Sequence, residues 1–174
     1  RNVTRYYYGA PYDQPLPGDY TGNGITEAVI YRKNTSLWGI KDLTRLYFGG
    51  PADRVVPGSY RAAGGWSPAI YRPGSGLWAV RQVSRWYFGN ELYDPVPADY
   101  VGTGRDISAV FKDLSGLWAV RKVSRFYYGT AGDQPHSATA PPPPARTVRG
   151  HPRIRGTALG TLAVRRRWCP YAVP

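Results

Sequence analysis

The chain has 174 residues, 42% of them apolar and 14% aromatic, a composition that excludes a disordered chain and suits one domain or a piece of a larger one. No run of about 18 apolar residues occurs, so no segment is read as inserting into a membrane. The formal charge of +12 is uneven: residues 1–135 hold 16 Lys and Arg against 11 Asp and Glu, whereas 136–174 hold seven Arg and no acid. The +5 left for the first segment is spread evenly, with no helix to enter a groove, which argues against nucleic acid as a partner.

The first predicted element is a terminal strand over 1–9, ending in "RYYYG". That phrase returns as "RLYFG" at 45–49, "RWYFG" at 85–89 and "RFYYG" at 125–129. Trp38, Trp78 and Trp118 keep the same 40-residue step, as do Tyr20, Tyr60 and Tyr100, and Pro17, Pro57 and Pro97. A fixed period of this length marks a repeat architecture, with units at about 10–49, 50–89 and 90–129. Each unit reads as four short strands. A proline-bounded one ("PLPGDY", "VVPGSY", "PVPADY") comes first, then "EAVIYR", "SPAIYR" or "ISAVFK". Next comes "SLWGIK" or "GLWAVR", and last "LTRLYFG", "VSRWYFG" or "VSRFYYG". Turn residues separate them at Asn34-Thr35, at 73–76 and at 114–116. Residues 1–135 carry no helical periodicity, so the domain is predicted to be all-β.

Alternation selects the architecture. In "SRWYFG", Arg85 and Tyr87 share one face while Ser84, Trp86 and Phe88 share the other, and the adjacent Ile70 and Tyr71 point opposite ways. Strands apolar on both faces suit a β-propeller, whose four-stranded blades are sandwiched between neighbours. The prediction is a partial β-propeller of about three blades. A β-trefoil, also three units of four strands, is the competitor and ranks second because its strands have one core face.

Two stretches, "DQPLPGDYTGNGITEAVIYRKNTSLWGIK" and "DPVPADYVGTGRDISAVFKDLSGLWAVR", resemble bacterial FG-GAP or VCBS-type repeats over residues 1–135. The resemblance implies an integrin-α-like propeller of a secreted or cell-surface protein that binds rather than catalyses. It also implies an acidic calcium loop, whose ligand positions here are Asp19, Thr21, Asn23 and Glu27. A hard cation needs six to eight oxygens, and two of these four residues bring carboxylates. The expectation is a weak calcium site or, alternatively, a polar turn closed by Gly22 and Gly24. The second copy, "SYRAAGGWS", has no carboxylate, and no calcium is expected there. The third keeps Asp99 but has Val101 and Thr103 at ligand positions, with Asp106 one residue early relative to Glu27. No other cofactor is implied.

Enzyme chemistry finds little footing. His136 and His151 both lie outside the repeats, so no Ser-His-Asp or Cys-His set forms there, and the eleven acids recur as turn residues. The reading is non-catalytic. Arg45, Arg85 and Arg125 stand two residues before Tyr47, Tyr87 and Tyr127 on one strand face, where guanidinium and ring can stack. They are the candidate ligand-binding residues, for an anionic glycan or an acidic protein. The alternative is that each pairs with a turn Asp or caps a blade edge in water. The two functional classes are therefore a binding or adhesion module and a structural spacer array with no ligand of its own.

After "RFYYGTAGDQP" the repeat stops at His136. Residues 136–174 are Pro- and Arg-rich, and "LGTLA" at 159–163 is what codons for "SGLW" give when read one base out of step. We read this tail as a frameshifted or disordered fourth repeat, with no role for Cys169. With no methionine anywhere, the chain is read as starting inside a longer frame or after processing. Three blades fall short of the roughly four that close a propeller, so further blades or a second copy are expected to complete it.

Overall fold

The computed structural model describes residues 5–62 and 64–135. The tail at 136–174, with Cys169, lies outside the described residues. The described residues form three separate four-stranded antiparallel sheets and a single 3-10 turn at Asp113–Ser115. Sheet 1 comprises β1 (Gln14–Pro15), β2 (Val29–Arg32), β3 (Leu37–Ile40) and β4 (Thr44–Tyr47). Sheet 2 comprises β5 (Arg54–Val55), β6 (Ala69–Arg72), β7 (Leu77–Val80) and β8 (Ser84–Tyr87). Sheet 3 comprises β9 (Asp94–Pro95), β10 (Ala109–Lys112), β11 (Leu117–Val120) and β12 (Ser124–Tyr127). Each sheet is a meander in chain order. The fold is all-β and partial-propeller-like. None of the sheets closes into a barrel, so the β-trefoil does not describe it.

The expected first strand of each unit is cut short. Leu16 donates its N–H to Val29 (2.9 Å), but Pro17 has no N–H to give, and pairing resumes only as a single bridge between Gly18 and Glu27. The same break follows Val56 and Val96. The terminal strand expected over 1–9 does not form over its described residues 5–9. In the other copies the "RxYxG" strand pairs with the preceding Leu-Trp strand, as Leu37 with Tyr47, and among the described residues no strand pairs with 5–9.

Alternation puts Val29, Tyr31, Trp38, Ile40 and Leu46 on one face of sheet 1, here called the aromatic face. The opposite, smaller face carries Ile30 and Gly39 in sheet 1, Ile70 and Ala79 in sheet 2, and Val110 and Ala119 in sheet 3. The aromatic face of sheet 1 packs against Ile70, Ala79 and Val55 of sheet 2. That of sheet 2 packs against Val110 and Ala119 of sheet 3. Ile70 and Tyr71 therefore belong to two different clusters, as their opposed directions require.

Recurring polar bonds lock the recurring residues. Trp38 donates its indole N–H to the Phe48 carbonyl (3.0 Å), Trp78 to Phe88 (2.9 Å) and Trp118 to Tyr128 (3.0 Å), which ties the chain leaving each last strand to the sheet centre. Tyr20, Tyr60 and Tyr100 donate their hydroxyls to the carbonyls four residues back, at Leu16, Val56 and Val96. Burial and the Asp106 charge push the Tyr100 hydroxyl up to about 12, so these phenols stay protonated donors at neutral pH. The glycine after each aromatic strand is there for space as well as conformation. Gly49 has φ of 96°, and a Cβ there would lie 2.9 Å from Ile70 Cγ2 of the next sheet.

Trp38 and Trp78 are fully buried, whereas Trp118, on the last sheet, is only partly buried. Replacing Trp78 with Phe removes the bond to Phe88 and leaves a cavity, an expected loss of about 2–4 kcal/mol. The same change at Trp118 is expected to cost no more than about half as much. Urea denaturation of the two variants checks this, and equal losses would contradict the packing described.

Candidate functional site

The four residues of the first acidic loop are brought together in part. The Thr21 hydroxyl donates to Glu27 Oε1 at 2.9 Å and stands 3.4 Å from Asp19 Oδ1, so two carboxylates converge on one hydroxyl. Asn23 is turned away, its Oδ1 accepting the Ile25 N–H at 2.7 Å. Much of the remaining carboxylate capacity is taken by the loop's own backbone. Asp19 accepts from the N–H groups of Gly22 (2.7 Å), Asn23 (3.1 Å) and Gly24 (2.8 Å), and Glu27 from Tyr20 (2.7 Å) and Thr21 (3.3 Å). The loop is held as a hydrogen-bonded polar turn. Among the described residues no group of three or more His, Cys, Asp or Glu side chains converges. Two carboxylates and one hydroxyl fall short of the six to eight oxygens that calcium takes, so the side chains present do not by themselves fit a calcium centre.

The third loop repeats the theme with its own aspartate. Asp99 accepts from Gly104 (2.6 Å) and Thr103 (2.9 Å). Loss of solvent pushes its carboxyl up, but the N–H groups of Thr103, Gly104, Val101 and Gly102 together hold it below the usual value.

Asp106 explains its own offset. Instead of serving its own loop it reaches back to the second repeat, where Oδ2 accepts the Ser59 N–H at 2.7 Å. Its backbone N–H donates to the Ser59 carbonyl at 2.7 Å, and Ser59 Oγ donates to Gly104 O at 3.1 Å. One repeat earlier, the Trp66 N–H donates to Asp19 O at 2.6 Å, with the Trp66 ring tilted against Tyr20. The loops thus clasp neighbouring repeats to one another, the first to the second and the third back to the second. The second loop, which lacks a carboxylate of its own, borrows one from the third.

Arg45, Arg85 and Arg125 lie on the last strand of each sheet, opposite Gly39, Ala79 and Ala119. All three are exposed and, among the described residues, none forms an ion pair. Tyr47, Tyr87 and Tyr127 share their strand face and are 73%, 70% and 74% exposed. The expected guanidinium–ring stacking is absent from these pairs. Among the described residues the cations over rings are Lys41 on Tyr6 and Arg121 on Trp86.

The pairing with turn aspartates belongs to a different set of arginines, which the sequence reading did not single out. Arg32 grips Asp13 with two bonds of 2.9 Å, and Arg72 grips Asp53 at 2.8 and 3.0 Å. Each Asp also caps its own turn, Asp13 through the Ala10 N–H and Asp53 through the Gly50 N–H, both at 2.9 Å. The Arg32 guanidinium holds the Asp13 carboxyl below its ordinary range. The 19-residue spacing of Asp13 to Arg32, recurring in Asp53 to Arg72, was the available signal. The third repeat lacks the pair, with Tyr93 and Lys112 in its place. A cleft of about 510 Å³ lies at the first pair, lined also by Tyr12, Lys33, Asn34 and Pro51.

Comparison with protein-family models, curated proteins and solved structures finds no match to this chain.

Burial raises the Asp106 carboxyl above its ordinary value and the Asp99 charge adds to this, while the Ser59 N–H opposes them. A carboxyl raised in the folded state contributes most to stability when protonated, and that contribution is lost as pH rises through its folded value. Asp106→Asn keeps an acceptor for Ser59 without the charge. The variant is therefore expected to gain on the parent as pH is raised from about 3 to 7, whereas Asp106→Ala loses about 1–2 kcal/mol at neutral pH. Thermal melts across that pH range decide it; a gap that narrows with rising pH contradicts the assignment.

Proposed function

We propose that the chain is a non-catalytic recognition module that holds an anionic glycan or an acidic protein segment along the last strands of its sheets. The observation that carries this reading is the set of three arginines, Arg45, Arg85 and Arg125, each exposed beside an exposed tyrosine at the same register of a repeated strand. A guanidinium offers a planar fork of donors to a carboxylate or sulfate, and a phenol ring offers an apolar surface to a sugar face. Repetition of one pair at one register suits a ligand that itself repeats. The fit with an extracellular repeat of the FG-GAP or VCBS kind, secreted or on a bacterial-type cell surface, is part of the same proposal.

A spacer array is the second reading, favoured by a separate observation. The recurring Trp, Tyr, Asp13 and Asp53 side chains all spend their polar atoms on bonds inside the chain. On that reading the repeat is conserved with itself for architecture alone.

Affinity for a uronic-acid or sulfated polysaccharide separates the two. The triple change of Arg45, Arg85 and Arg125 to Ala is expected to weaken binding at least about tenfold, and salt near 1 M to abolish it, because exposed charges are screened over a few ångströms there. Binding of a neutral glucan should be unaffected by either. If the triple variant binds the polyanion as tightly as the parent does, the arginine reading fails.

A further inference from the structure

The two sheet-to-sheet interfaces within the chain use one pair of complementary surfaces twice, and a third copy of each surface is present at the ends of the stack. The aromatic face of sheet 3 is the first. Phe126 is 42% exposed and Tyr128 76% exposed, whereas their counterparts Leu46, Phe48, Trp86 and Phe88 are half-buried against the next sheet. The contrast has a simple cause, since nothing among the described residues occupies the place that sheets 2 and 3 take against their predecessors.

The small-residue face of sheet 1, with Ile30 and Gly39, is the second. Tyr8 and Gly9 lie against it, the Tyr8 hydroxyl at Gly39 and Gly9 at Ile30, whereas Tyr7 is exposed to solvent. Their placement is the one a preceding sheet would impose. A Cβ on Gly9 would lie 3.1 Å from Ile30 Cγ2, just as one on Gly49 would lie 2.9 Å from Ile70 and one on Gly89 3.0 Å from Val110. The φ angles agree too, at 104°, 96° and 90°. "RYYYG" therefore stands in for the end of a last strand, without the strand.

We propose that the aromatic face of sheet 3 docks on the small-residue face of sheet 1 in a second copy of this chain, and that residues 5–9 compete for that face. The competitor and the docking strand are nearly the same peptide, "RYYYG" against "RFYYG". Residues 5–9 bring only their own side chains, whereas a docking copy brings those of β12 together with Trp118 and its sheet. Such a contact is heterologous, and it forms a ring if its rotation closes. Two copies supply six sheets, within the range of four to eight over which propellers close, so the expected product is a dimer. The repeated clasp has a place in it: Thr26, the counterpart of Trp66 and Asp106, is exposed, ready to donate its N–H to Asp99 of the other copy.

Sedimentation velocity over a concentration series tests the proposal. Removing residues 1–9, or changing Tyr8 to Gly in the full chain, is expected to tighten self-association at least about tenfold and to yield dimers. Adding Phe126→Lys to either variant is expected to return it to monomer, because a charge then enters the apolar contact. Intrinsic tryptophan fluorescence confirms that each variant is folded. An unchanged association constant on losing the competitor overturns the proposal, as does association that survives Phe126→Lys. Association that appears only when residues 136–174 are removed overturns it as well, and assigns the aromatic face to that segment.

Discussion

The fit of a large aromatic face onto a small-residue face is the constraint from which the rest of this structure follows. Burying an indole and a phenol between sheets removes about 150–250 Å² of apolar surface for each ring, and no other contact in the described residues offers so much. The fit has two requirements. The receiving face must stay small, which is why Gly39, Ala79 and Ala119 occupy one register, and the chain leaving the aromatic strand must pass close to it, which is why a glycine follows. Larger residues at either place would push the sheets apart and expose the rings.

Polar groups are arranged around that fit rather than in competition with it. An indole N–H buried between sheets needs an acceptor, and the carbonyl ten residues on supplies one in all three units. The tyrosine hydroxyls do likewise over four residues. The acidic-loop segments carry the pairing from one repeat to the next by backbone bonds, Trp66 to Asp19 and Asp106 to Ser59. These clasps are short and directional. They set how neighbouring sheets align, a choice that the non-directional apolar contact leaves open.

Much of the architecture was legible because a repeat reports itself. Four strands per unit, two apolar faces and the opposed directions of Ile70 and Tyr71 follow from a period of two inside a period of 40. Over 5–9, "RYYYG" has the sequence of a strand but, among the described residues, no partner strand to accept its backbone bonds, and strand propensity alone does not make a strand. The site was less legible. Spacing placed Asp19, Thr21 and Glu27 in one loop correctly, yet it gave no indication that the loop's own N–H groups would take the carboxylates. For Arg45, Arg85 and Arg125 it gave the common face and not the missing stack.

Local order in the chain determined the class of fold, the number of sheets described and the identity of the residues between them, because each depends on periodicities carried within one unit. Only the tertiary structure decided which repeat each polar group serves. Asp106 bonds to Ser59, 47 residues back, and Arg54 pairs with Asp94 across the same boundary. Bonds of this kind depend on how one sheet is rotated against the next, a quantity set by the shape of the packed rings and written in no single stretch of sequence.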